Sequence, residues 1–112
     1  MRYVLMIYVD EAVAAQLSPE ERQRLMAGHA ALAGSLEAKL TGGGPLQPTT
    51  SATTVRIRQG KTLLTDGPFA ETKEQLGGFY LIHANDLDEA LAWAAQMPSA
   101  RYGSIEVRPI WE

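Results

Sequence analysis

Two histidines, His29 and His83, are the only side chains in this sequence that ordinarily titrate near neutral pH, and there is no cysteine. The missing cysteine excludes a thiolate nucleophile, a disulfide and any Cys-ligated zinc or iron–sulfur site. His29 interrupts an apolar series, Leu25, His29, Leu32 and Leu36, at helical spacing. It therefore reads in two ways. One is a partly buried histidine bonded to backbone; the other is an acid–base group projecting toward a sheet edge, where a pKa near neutrality lets it take or give a proton. His83 falls on an expected strand beside a helix cap and reads as structural or surface. Two isolated histidines make no ligand-spacing motif, so neither a metal nor another cofactor is expected.

The stretch from Asp66 to Gly78 holds the densest chemistry. Asp66 precedes Gly67-Pro68, a turn in which a carboxylate can accept from nearby backbone amides. Phe69 is expected to pin the loop to the core. Glu71, Lys73 and Glu74 follow, and Gly77-Gly78 allows close packing at the next strand. An elaborate loop before a core strand is where function concentrates, although a rigid surface loop with solvated charges fits the same residues. Asp66 and Glu71 are the candidate carboxylates for His29; Phe69, Lys73 and Arg108 are the candidate ligand contacts. Glu106 and Arg108 share one strand face and can instead pair with each other. Gly60-Lys61-Thr62 is no phosphate loop, because Val55 stands where that motif needs glycine.

The elements that must position these residues are legible in part. Tyr3–Val9 predicts a strand with two apolar faces, Tyr3, Leu5, Ile7 and Val9 on one, Val4, Met6 and Tyr8 on the other. Ser18-Pro19-Glu20-Glu21 predicts a helix start with a capping box, and the helix is expected to run to about Leu40. Gly42-Gly43-Gly44-Pro45 reads as a connector. Thr53–Arg58 and Lys61–Thr65 predict a hairpin turning at Gln59-Gly60. Gly78–Ala84 is the next strand. Asp86 caps a second helix with Glu89 at the box position and a stripe of Leu87, Ala90, Leu91 and Ala94, which Pro98 stops. Ser104–Trp111 is the last strand, with Ile105, Val107 and Trp111 on one face.

This order, β-α-β(hairpin)-β-α-β, predicts an α+β ferredoxin-like antiparallel sheet with both helices on one face. Such a sheet leaves one face bare. Since the first and third major strands are apolar on both sides, a second copy of the chain is expected to cover it as a homodimer. The 112 residues make one domain, residues 1–112, and 46% apolar with 21% charged composition fits a folded globule. A net charge of −3 gives no reason to bind nucleic acid or anionic lipid. The apolar run after Met1 is too short for a membrane span and lacks a cleavage site, so a cytoplasmic protein is expected.

The run Asp66-Gly67-Pro68-Phe69-Ala70-Glu71-Thr72-Lys73-Glu74, followed by Gly77-Gly78-Phe79-Tyr80, resembles the signature of the DGPF proteins, a branch of the YCII-related superfamily. Glu106-Val107-Arg108-Pro109 resembles that family's last strand. The resemblance covers nearly the whole chain. It implies a ferredoxin-like fold that dimerises into an α/β barrel, and a genetic association with extracytoplasmic-function sigma factors. It also implies a site pairing a histidine on the first helix with an aspartate before a proline after the second. His29 matches the histidine; Met97, before Pro98, stands at the carboxylate position, leaving Asp66 or Glu71 as its substitute.

Three functions follow. The first is a small-molecule acid–base enzyme, a lyase or isomerase, using His29 and a loop carboxylate. The second is a small-ligand-binding or regulatory module linked to a sigma factor. In the third, Asp66, Glu71, Lys73 and Arg108 only clamp a dimer.

Overall fold

A computed structural model describes residues 1–112. The chain begins with strand β1 (Arg2–Val9), then a five-residue helix α1 (Glu11–Ala15) and the long helix α2 (Pro19–Leu36). Asp10 starts α1 by accepting from the Ala12 N–H at 3.0 Å. Ser18 starts α2 through the expected capping box: the Glu21 N–H donates to Ser18 Oγ at 3.1 Å, and the Ser18 N–H to Glu21 Oε1 at 3.0 Å. The bond from the Ser18 N–H to the Glu21 carboxylate holds its pKa below the usual range. The α-helix stops at Leu36, short of the expected Leu40, and a single 3₁₀ turn (Glu37–Lys39) follows.

The remaining elements are β2 (Leu40–Pro45), β3 (Thr53–Arg58), β4 (Lys61–Asp66), β5 (Gln75–His83), α3 (Leu87–Ala95), a 3₁₀ turn (Pro98–Arg101) and β6 (Ser104–Pro109). Four strands form one antiparallel sheet in the order β2-β5-β1-β6, the ferredoxin-like arrangement. The glycine run expected to be a connector is therefore an edge strand, paired along β5. Side chains did not announce it, because glycine carries no alternation to read. The hairpin expected as part of the sheet is instead a separate two-stranded unit, β3-β4. Its turn is as expected: Gln59 and Gly60 both have positive φ, 52° and 74°, the geometry of a tight two-residue hairpin.

The core lies on one side of the sheet. Tyr3, Leu5, Ile7 and Ile82 face Leu32 and Leu36 of α2 and Ala90 and Ala94 of α3, with Met97 closing the end. Val4, Met6 and Tyr8 point to the opposite face, where their strand partners include Phe79, Leu81, Glu106 and Arg108. These apolar side chains are only half-buried, so the second face of the sheet is open in the single chain. No helix is long and apolar enough to cross a membrane.

Three details of packing differ from the expected pattern. Leu87 and Leu91 stay exposed, because α3 seats its Ala90–Ala94 side on the sheet and Trp93 packs at the margin. Asp86 caps Glu89 as expected, but the Glu89 carboxylate turns back to Asn85 N rather than to the cap residue. Trp111 lies beyond the end of β6 and is 98% exposed, so it does not continue the Ile105–Val107 face.

Candidate functional site

His29 sits in the middle third of α2, and Gly28 beside it has a consequence for packing. A Cβ at Gly28 would lie 2.7 Å from Pro98 Cγ, so only glycine lets the helix approach the turn that follows α3 this closely. That turn carries Ser99, and β5 carries Tyr80 on the helix-covered face of the sheet. The three side chains meet: His29 Nε2 lies 2.7 Å from Ser99 Oγ, and Nδ1 lies 3.1 Å from Tyr80 Oη.

The proton positions follow from counting donors. Ser99 is buried and its hydroxyl has no partner other than His29. If Nε2 carried the hydrogen, the serine O–H would be left unsatisfied at a cost of about 1–3 kcal/mol. The hydroxyl therefore donates to Nε2, and Nδ1–H donates to Tyr80 Oη. The Tyr80 hydroxyl has the backbone oxygen of His29 at 3.4 Å, a long contact that leaves its hydrogen available to a ligand.

The three groups line a cavity of about 240 Å³. Its walls are apolar, from Ile7 and Val9 of β1, Leu25 and Met26 of α2, and Pro45 at the end of β2. Gly77 and Gly78 keep the β5 side thin; a Cβ on Gly78 would stand 3.1 Å from the Gly44 carbonyl. Burial in these walls pushes the His29 pKa below its ordinary value of 6.5, and no charge compensates. The same burial pushes Tyr80 up from 10.0, so it stays a protonated donor. At neutral pH the site is a neutral imidazole between two hydroxyls.

A pH-dependent stability follows. Above about pH 6.5 His29 is neutral in both the folded and unfolded chain, and it contributes nothing to the pH dependence. As pH falls below the unfolded value, the unfolded chain takes the proton first. Stability is then lost until pH drops below the depressed folded pKa. In melts between about pH 8 and pH 5, wild type should lose more Tm than His29→Gln, with the gap opening below about pH 6.5.

The loop residues lie elsewhere. Glu71 and Lys73 line a second, polar cavity of about 440 Å³ with Asp10, Glu11 and Thr49. Glu11 fastens this region by accepting from the Thr49 N–H at 2.8 Å and from the Thr49 hydroxyl. The two cavities share no lining residue, so within one chain Glu71 is not brought to His29. Asp66 ends β4 opposite Thr53 and lines neither cavity. Phe69 does not pin the loop to the core as expected: it is 75% exposed, with the Arg56 guanidinium 5.4 Å above its ring. A cation offered by the neighbouring hairpin gives the ring a contact on the surface instead. Arg108 pairs with Glu106 on the open sheet face and is exposed. Met97, at the expected carboxylate position, is a buried core side chain. No group of three or more His, Asp or Glu residues is placed to hold a metal.

Sequence reasoning missed Tyr80 and Ser99. Tyr80 carried a readable sign, since strand alternation places it on the same face as Ile82. Ser99 had only its position two residues beyond Met97, on a turn whose shape comes from tertiary packing.

Fold and site together define a ferredoxin-like α+β domain with a histidine-centred cavity between its long helix and its sheet. The chain belongs to the family of the YCII-related domain, whose sequence model matches residues 1–112. An uncharacterized protein from Rhizobium meliloti (strain 1021) is 47% identical over 114 residues, covering 98% of this chain and 92% of that protein. Among solved structures, 5-chloro-2-hydroxyhydroquinone dehydrochlorinase from Burkholderia phenoliruptrix AC1100, in complex with 2,5-dihydroxybenzoquinone, is similar in fold. Its TM-score is 0.56 at 19% identity, over 100% of this chain and 94% of that one.

Proposed function

We propose that this protein is a small-molecule acid–base enzyme of the lyase or isomerase kind, with His29 as its proton acceptor. One observation carries the reading: a half-buried imidazole, held neutral by its apolar surroundings, contacts only hydroxyl groups at a cavity that fits a small molecule. A neutral imidazole is a base, and a depressed pKa keeps it one at pH 7. Nε2 receives a proton relayed by Ser99, while the Tyr80 hydroxyl donates to the oxygen on which negative charge develops. In an elimination, the electron pair left by the departing proton forms the new double bond, and the leaving group departs with its own pair.

The cavity is smaller than the roughly 300–1,000 Å³ of drug-sized sites, which suits a one-ring compound. The ligand in the similar dehydrochlorinase structure, 2,5-dihydroxybenzoquinone, is of that size and is the first probe to use. Glu71 and Lys73 are proposed to hold a charged end of a larger ligand in the polar cavity. Asp66, Phe69 and Arg108 would act only across an interface with a second chain. A homodimer covering the open sheet face is part of the proposal, and the half-buried Val4, Met6, Tyr8, Phe79 and Leu81 support it.

The test is a thermal-shift titration with 2,5-dihydroxybenzoquinone, paired with NMR detection of solvent deuterium entering bound hydroxylated aromatics. The expected result is a concentration-dependent rise in Tm and exchange faster than in buffer. Exchange at the buffer rate with every compound that raises Tm would sink the enzymatic reading. It would favour a ligand-binding module linked to a sigma factor. One observation favours that second reading: no carboxylate bonds to His29 to stabilise its protonated form.

A further inference from the structure

The β3-β4 hairpin is an unfinished object in the single chain. Residues standing opposite one another in its ladder share a face, which puts Val55, Ile57 and Leu64 on one side with Thr62. Arg56, Arg58, Lys61 and Leu63 take the other. The three apolar residues of the first side are 60%, 65% and 70% exposed. Neither strand packs substantially on any element but the other, and the Gly67 N–H donating to the Ala52 carbonyl at 2.7 Å extends the ladder by closing the hairpin's own root. The chain's radius of gyration is 15.7 Å, against about 13 Å for a compact domain of this length. An isolated two-stranded hairpin is marginal in water, so this one needs a surface to lie on.

We infer that the hairpin is an arm that lays its Val55–Ile57–Leu64 face on a second copy of this same chain. Charge selects that partner. The arm carries three cations, Arg56, Arg58 and Lys61, against one acid, Asp66 at its root, so the −3 of the whole chain leaves −5 on the rest. A basic arm and an acidic body attract when they belong to two copies arranged reciprocally. The body also offers the apolar, half-exposed face of Val4, Met6, Tyr8 and Leu81. Residues 46–52 and 67–74 join the arm to β2 and β5, the strands that carry Pro45, Gly77 and Gly78 of the His29 cavity. The inference rests on the homodimer proposed above, and goes beyond it by assigning the arm a share of the interface.

Sedimentation equilibrium on the full chain tests it with two variants, Ile57→Asp/Leu64→Asp on the arm and Met6→Glu on the sheet face. The arm variant should keep the far-UV circular dichroism of wild type, because both side chains are exposed within a chain. Its dimer dissociation constant should rise by about 100-fold or more, as for removal of a central apolar anchor. Dimerisation of the Arg56→Gln/Arg58→Gln variant should also weaken less steeply with salt than that of wild type. If the arm variant dimerises as tightly as wild type while Met6→Glu dissociates, the arm inference is overturned and the sheet-face dimer stands. A wild-type monomer at micromolar concentration overturns both. Loss of circular dichroism in the arm variant shows that the arm packs on its own body and overturns the inference as well.

Discussion

His29→Gln is expected to slow proton exchange into a bound ligand by about 10²–10⁴-fold, the usual worth of a positioned acid–base group. Glutamine is the informative replacement. It keeps a polar group near the buried Ser99 hydroxyl, whereas alanine would leave that donor unpaired and confound rate with stability. The Tm rise caused by 2,5-dihydroxybenzoquinone should survive in the glutamine variant, since most of the cavity wall is apolar and unchanged. The pH profile separates a base from a prop. Wild-type exchange should climb with pH through an apparent pKa below 6.5, the direction burial gives His29, and then level off. The variant should show no such rise. Tyr80→Phe should retain the rise but lower the plateau, because it removes a donor to the developing oxyanion and leaves the base in place. Exchange in His29→Gln at the wild-type rate would exclude His29 as the proton acceptor.

How far the sequence foretold this site depends on whether local rules or tertiary contacts place each residue. β1 and the start of α2 were legible because alternation and the Ser18–Glu21 box act within a few residues of themselves. The hairpin was legible for the same reason, since Gln59-Gly60 sets its register locally. Its position off the sheet was not, because it depends on which strand β5 chooses as neighbour, and β5 pairs with the glycine run. His29 was visible as a break in an apolar stripe. Its actual partners come from β5 and from the turn at Pro98, brought in by the close approach at Gly28. The loop from Asp66 to Gly78 carried the family resemblance, yet none of its charged residues lines the histidine's cavity, and only Glu71 and Lys73 line the other. A motif dense in chemistry therefore marked the fold more surely than it marked the base.

The glycine strand supplies the other large expected effect, read between two adjacent residues of identical type. Gly43 has φ of 131°, and a Cβ there would stand 2.2 Å from the Phe79 carbonyl oxygen. Gly43→Ala must either distort β2 or push it off β5. A residue held in so unfavourable a backbone region costs about 1–3 kcal/mol, before any lost ladder bond is counted. For a domain of this size that is a fall in Tm of roughly 10 °C. Gly44 has an ordinary φ, and nothing lies within 4 Å of its virtual Cβ. Gly44→Ala should leave Tm unchanged or slightly raised, since alanine narrows the unfolded ensemble by about 0.4–1 kcal/mol where the native backbone tolerates it. Gly44 nevertheless lines the His29 cavity, so its alanine variant should weaken the Tm response to 2,5-dihydroxybenzoquinone while the protein itself stays as stable as wild type. Thermal melts of the two variants, each with and without that compound, separate the roles. Equal losses of Tm in both would mean that β2 tolerates a side chain at neither glycine, and that the cavity wall is not set by the local geometry at Gly43.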